Sequence, residues 1–101
     1  MKPDIKKLYI EELESGKYKQ GFGKNRNESK DGTVLWCAFG VLTHLWVINN
    51  LITPEVFRRS DWSDLCQWAG ISNEDITSIA LKNDRERLTF SEIAEYVEEN
   101  M

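Results

Sequence analysis

Between Leu35 and Ile48 the chain reads LWCAFGVLTHLWVI, in which only Thr43 and His44 are polar, and both fall on one side of a helical wheel. A helix that is apolar almost all the way round has no face to give to water, so it belongs inside a core. Roughly 14 residues are too few to span a membrane, for which about 20 are needed. The pattern predicts a buried central helix over residues 35–49, with Trp36, Phe39, Leu42 and Leu45 almost free of solvent. Ahead of it, Ile5, Leu8, Tyr9 and Leu13 recur at amphipathic spacing, in a helix begun at Asp4 and closed by Gly16.

Behind it, three helix starts repeat one chemistry: Thr53 followed by Pro54, Ser72 with Asp75, and Thr89 with Glu92. Each has an apolar pair at staple spacing, namely Ile52/Phe57, Ile71/Ile76 and Leu88/Ile93. Trp62, Leu65, Cys66 and Ala69 mark a short helix that Gly70 ends. The last helix turns Phe90, Ile93, Ala94 and Val97 inward and its glutamates outward, as a solvated face. The predicted fold is all-α, a single domain over 1–101 built as a bundle of five or six short helices around the buried helix 35–49.

One stretch escapes this periodicity. Residues 17–33, KYKQGFGKNRNESKDGT, carry three glycines and an Asp-Gly turn signal. They read as a long loop, with room for a small β-hairpin near 17–35 whose strands lie close to Tyr18 and Val34. Loops of such length inside a compact domain tend to be functional.

Charge sharpens that expectation. The chain carries −4 overall, yet residues 17–30 hold Lys17, Lys19, Lys24, Arg26 and Lys30 against Glu28 alone; this +4 segment leaves −8 on the remainder. An acidic whole argues against direct nucleic-acid binding. An anionic ligand at the basic loop is the more specific expectation. Arg26 and Lys24 would meet its charge, Gln20 and the N–H groups of Gly21 and Gly23 would cradle it, and Tyr18, Phe22 and Trp36 would stack on its ring. The competing reading is a solvated loop whose glycines only serve turns. Neither a Walker pattern nor a dinucleotide fingerprint is present.

Cys37 near a helix start and His44 further along invite a thiol-nucleophile reading. Seven residues of helix separate such a pair by about 10 Å, beyond hydrogen-bond reach, so no catalytic residue is assigned. One histidine and two unclustered cysteines lack the spacing of a metal site, and no metal or cofactor is expected. Met1–Tyr9 has no apolar leader core, which points to the cytoplasm and to Cys37 and Cys66 as free thiols. Trp46, Trp62 and Trp68 with Arg58 and Arg59 offer an alternative, protein-binding surface, and four tryptophans are compatible with a homodimer.

Two segments also resemble a known group. Ser15–Gly23 (SGKYKQGFG), Arg26 and Trp36–Leu42 (WCAFGVL) are similar to small phage and prophage proteins with an SG-x-Y-x-QG-x-G-x-x-R … WCA-x-GVL pattern. Leu81–Asp84 and Thr89–Ala94 resemble that group's closing LND … SF-x-EIA segment. Thr43-His44 stands where the group often has cysteine or an acidic residue, so the resemblance implies no role for His44. What it implies is a mobile-element origin. The expected function is therefore a phage-type, anti-defence binding protein that captures an anionic, nucleotide-derived ligand through loop 17–30. The alternative is a small inhibitor that blocks a host defence protein, such as a CRISPR component, by direct contact. A Cys37-dependent enzyme ranks third.

Overall fold

The apolar run divides in two: Val34–Trp36 is a strand and Ala38–Asn50 is the central helix, with Cys37 between them at the helix N-cap. This is seen in the computed structural model, which describes residues 1–101. The element order is α1 (Pro3–Glu14), β1 (Lys19–Gln20), β2 (Arg26–Glu28), β3 (Val34–Trp36), α2 (Ala38–Asn50), α3 (Pro54–Arg59), α4 (Ser63–Ala69), α5 (Asn73–Asp84) and α6 (Phe90–Asn100). Six helices dominate, but the all-α expectation is corrected by a three-stranded mixed sheet in the order β1-β3-β2. A hairpin does form within 17–35, but between β2 and β3. The strands expected near Tyr18 and Val34 correspond to β1 and β3, which pair in parallel and so are not the two arms of a hairpin.

The helix expected from Leu35 starts three residues later for a physical reason. Val-Leu-Trp suits a strand, and as the middle strand β3 has both its edges paired. Cys37 then takes extended angles (φ −83°, ψ 169°), and its sulfur accepts a hydrogen bond from the Gly40 N–H at 3.3 Å. The hairpin turn is closed by Ser29 N–H donating to the Thr33 carbonyl at 2.8 Å. Asp31 within it accepts from the Ser29 hydroxyl and the Thr33 N–H, which lowers its carboxyl pKa to about 2.

Helix α2 runs through the centre. Phe39, Leu42 and Leu45 are buried as expected, but Trp36 is only half-buried, because it lies in β3 at the sheet's open side. α1 is pinned to the start of α2 by the buried Tyr9 hydroxyl, which donates to the Ala38 carbonyl at 2.6 Å. α6 closes the core with Ile93, Ala94 and Val97. No helix is long and apolar enough to cross a membrane.

The three caps read behind the central helix are present, whereas α1 does not begin at Asp4: it starts at Pro3, with Lys2 as an N-cap that makes no side-chain bond. The Thr53 hydroxyl accepts from Val56 N–H, and complete capping boxes open α5 (Ser72/Asp75) and α6 (Thr89/Glu92). Thr89→Ala is expected to cost about 0.5–2 kcal/mol. Urea denaturation measures this, and an unmoved midpoint would show that the cap contributes nothing to α6.

Candidate functional site

The sheet, α2 and α3 enclose an open groove. Register places Arg26 opposite Trp36, and Glu28 opposite Val34, so these four side chains share one face of the hairpin. Facing it, Gly40, Thr43, His44 and Val47 form one stripe of α2, at the three- and four-residue spacing of a single helix face. Ile52, Pro54 and Phe57 close the far side, and Asn25 joins Arg26 and Trp36 on the near side. The resulting volume is about 470 Å³, with largely apolar walls. That lies within the range of small-molecule sites, roughly 300–1,000 Å³.

Gly40 makes the close approach possible. A methyl group there would overlap the Asn25 carbonyl, so only glycine lets the hairpin sit directly on α2. The contact is secured by Cys37 N–H donating to that same carbonyl at 3.2 Å.

The polar end of the groove is an aromatic cluster with one cation. Trp36 and His44 have ring centroids 5.0 Å apart, and Tyr18 packs against both at 5.4 and 6.0 Å. The Arg26 guanidinium lies 5.7 Å from the Trp36 ring. Its nearest carboxylate is Glu28, at 3.8 Å, an ion pair too long for a direct hydrogen bond. His44 donates and accepts no hydrogen bond within the protein, and the Asn25 side-chain NH₂ group is likewise free. Burial and the neighbouring Glu12 carboxylate push the Tyr18 phenol up to about 12.

Of the residues expected to bind a ligand, the groove brings together Arg26 and Trp36, with Tyr18 packed on Trp36 and His44. The cradle foreseen from Gln20, Gly21 and Gly23 is corrected: its donors are already used by the fold. Gln20 donates from Nε2 to Asn83 Oδ1 at 2.8 Å and to the Leu88 carbonyl at 2.7 Å. Gly21 N–H donates to the Trp36 carbonyl at 2.7 Å, extending the β1–β3 ladder. Gly23 N–H donates to the Asp84 carboxylate at 2.9 Å, an arrangement that repels a second anion. Phe22 is exposed beneath the Arg87 guanidinium, 4.4 Å from its ring, and Lys24 is exposed outside the groove lining.

The organiser of this region is Asn83, which is fully buried. Its Oδ1 accepts from Gln20 Nε2 and from Ala38 N–H, and its Nδ2 donates to the Gly21 carbonyl and to Asp84 Oδ1. One side chain of α5 thus holds β1 and the first turn of α2 in place. No chemical pattern in the sequence marks it. Only the LND segment, seen as a resemblance, drew attention to that position. Besides His44, the groove residues that the sequence does not single out as ligand-binding are Asn25, Gly40, Thr43, Val47, Ile52, Pro54 and Phe57. His44 was conspicuous, being polar on an otherwise apolar helix.

Cys37 and His44 do not meet as a pair. The sulfur accepts from Gly40 N–H and donates to Asn25 Oδ1 at 3.6 Å, while the His44 ring packs on Trp36 and Tyr18. Burial pushes the Cys37 thiol pKa up, outweighing the Gly40 hydrogen bond that lowers it, and the Asp84 charge adds to the rise. That is the opposite of what a thiolate nucleophile needs.

Comparison with known proteins yields one match: residues 1–66 fit the model of a family described as a domain of unknown function, DUF8296. No curated protein and no solved structure matches the chain.

Proposed function

The chain belongs to the DUF8296 family, and we propose that it is a binding protein whose groove takes a flat, largely apolar ring carrying an anionic group, the chemistry of a nucleotide. The observation that carries this reading is the convergence of Arg26, Trp36 and His44 at one end of an apolar groove of about 470 Å³. A guanidinium grips a carboxylate or phosphate through two parallel hydrogen bonds. The walls of Val47, Ile52, Pro54 and Phe57 suit a ring, and the free donors of Asn25 and His44 suit its polar edge. The glycine segment supports this site from behind and does not contact the ligand. Resemblance to small phage and prophage proteins supports an anti-defence purpose, in which capture withdraws a nucleotide-derived molecule from host use.

A host defence protein as the occupant is the second reading, and one observation favours it. Ile48, one turn beyond His44, and Leu51, the left-handed C-cap of α2, are 52% and 88% exposed, so apolar surface stands at the C-terminal end of the helix that lines the groove.

Arg26→Ala tests the two. Wild-type protein is expected to gain about 2.7 kcal/mol from a nucleotide present at 100 times its Kd. Arg26→Ala should lose that gain while its unliganded stability stays within about 0.5 kcal/mol of wild type, and Arg26→Lys should recover part of it. Thermal-shift titration reads both quantities. Absence of stabilisation by any nucleotide, with a host protein retained regardless of Arg26, would favour the protein-blocking reading.

A further inference from the structure

Resting on the groove as a ligand site, we infer that Glu28 is a specificity residue that restricts the ligand to a single phosphate group, a nucleoside monophosphate rather than a di- or triphosphate. Arg26 and Glu28 stand two residues apart on β2 and therefore on the same face, with Glu28 Oε2 3.8 Å from Arg26 Nη2. Arg26 is the only lysine or arginine lining the groove. The other cations of the basic segment are placed elsewhere: Lys17 pairs with Glu12 at 3.0 Å, Lys19 is in register with Leu35 on the opposite face of the sheet from Trp36, and Lys24 and Lys30 are exposed outside the lining. Glu28 also lies outside the lining and bears on the site through its contact with Arg26.

The electrostatic consequence is a limit on charge. A first phosphate takes over the guanidinium, whose N–H groups are not consumed by the long Glu28 contact. Glu28 is then left beside the bound anion. Each further phosphate lies near that carboxylate without a second lining cation, and like charges at such separations repel appreciably even near a protein surface. Asn25 and His44 offer donors to the ring edge, but neither replaces a second fixed positive charge.

Calorimetric titration of the four nucleoside 5′-monophosphates and the matching 5′-triphosphates against wild type, Glu28→Gln and Arg26→Ala tests this at low and moderate salt. Wild type should favour the monophosphate of the preferred base by about tenfold or more. Glu28→Gln keeps the side-chain size and removes the charge. It should narrow the preference to about threefold or less by tightening triphosphate binding, and added salt should narrow the wild-type preference in the same direction. Arg26→Ala should lose both ligands. A wild type that binds triphosphate as tightly as monophosphate overturns the inference. So does an Arg26-dependent preference that Glu28→Gln leaves unchanged, in which case the groove itself still stands as the ligand site. If no nucleotide binds wild type, the groove reading and the inference fall together.

Discussion

Asn83→Ala is expected to destabilise the protein by on the order of 3–5 kcal/mol, a large fraction of the 5–15 kcal/mol typical of a whole domain. The side chain is fully buried and makes four hydrogen bonds, at 2.7 to 3.1 Å: two to Gln20 and Gly21, one to Ala38 and one to Asp84 of its own helix. Truncation strands the Ala38 N–H and the Gly21 carbonyl without a partner, and each such orphan costs about 1–3 kcal/mol. The melting temperature should fall by roughly 12 °C or more. Asn83→Asp separates hydrogen bonding from packing. It retains the acceptor for Gln20 and Ala38, but sets a carboxylate oxygen against the Gly21 carbonyl and the Asp84 carboxylate. Its penalty should shrink as the pH is lowered, because a proton on either carboxyl restores a donor between them. Wild-type stability in Asn83→Ala would remove Asn83 as the organiser of this region.

Gly40→Ala carries the second large effect, and its sign is diagnostic. Within a helix, glycine to alanine ordinarily stabilises by about 1 kcal/mol. At this position the added methyl would meet the Asn25 carbonyl, which is backbone and cannot swing aside as a flexible side chain could. The hairpin must lift from α2 and stretch the Cys37–Asn25 hydrogen bond of 3.2 Å. A net loss of about 1–3 kcal/mol is expected from overpacking. The larger consequence falls on the groove, since Arg26 follows Asn25 directly and moves with it. Nucleotide-induced stabilisation should be lost together with part of the stability, in one denaturation series run with and without ligand. A stabilised Gly40→Ala protein would mean that the hairpin does not seat on α2 as described.

What could be read from the sequence follows from how far apart the interacting residues are. Thr53, Ser72 and Thr89 announce their helices because each cap contacts a backbone N–H only three residues on. The strand expected near Val34 is present, but its run through Leu35 and Trp36, assigned from the sequence to the central helix, did not announce itself. Its apolar run fits helix and strand alike, and the deciding partners lie at Lys19–Gln20 and Arg26–Glu28. Arg26 and Trp36 were recognisable as candidates from charge and ring, whereas the register that places them opposite one another was not. Gly21 and Gly23 signalled unusual backbone, but the groups that take up their N–H bonds are the Trp36 carbonyl and the Asp84 carboxylate, which no local pattern connects to them.

The reach of Asn83 also bears on where this domain can be cut. Residues 1–66 match the family, yet position 66 falls inside α4 (Ser63–Ala69), and Gln20, Gly21 and Ala38 within that segment are held by a side chain beyond it. α1 likewise loses its wall without α6, on which Lys6 anchors through the Glu98 carbonyl at 2.8 Å. A fragment ending at residue 66 is therefore expected to lose the hydrogen bonds that hold Gln20, Gly21 and Ala38. An expression fragment, a domain swap or a fusion that ends at its boundary would separate the groove from the residues that hold it open.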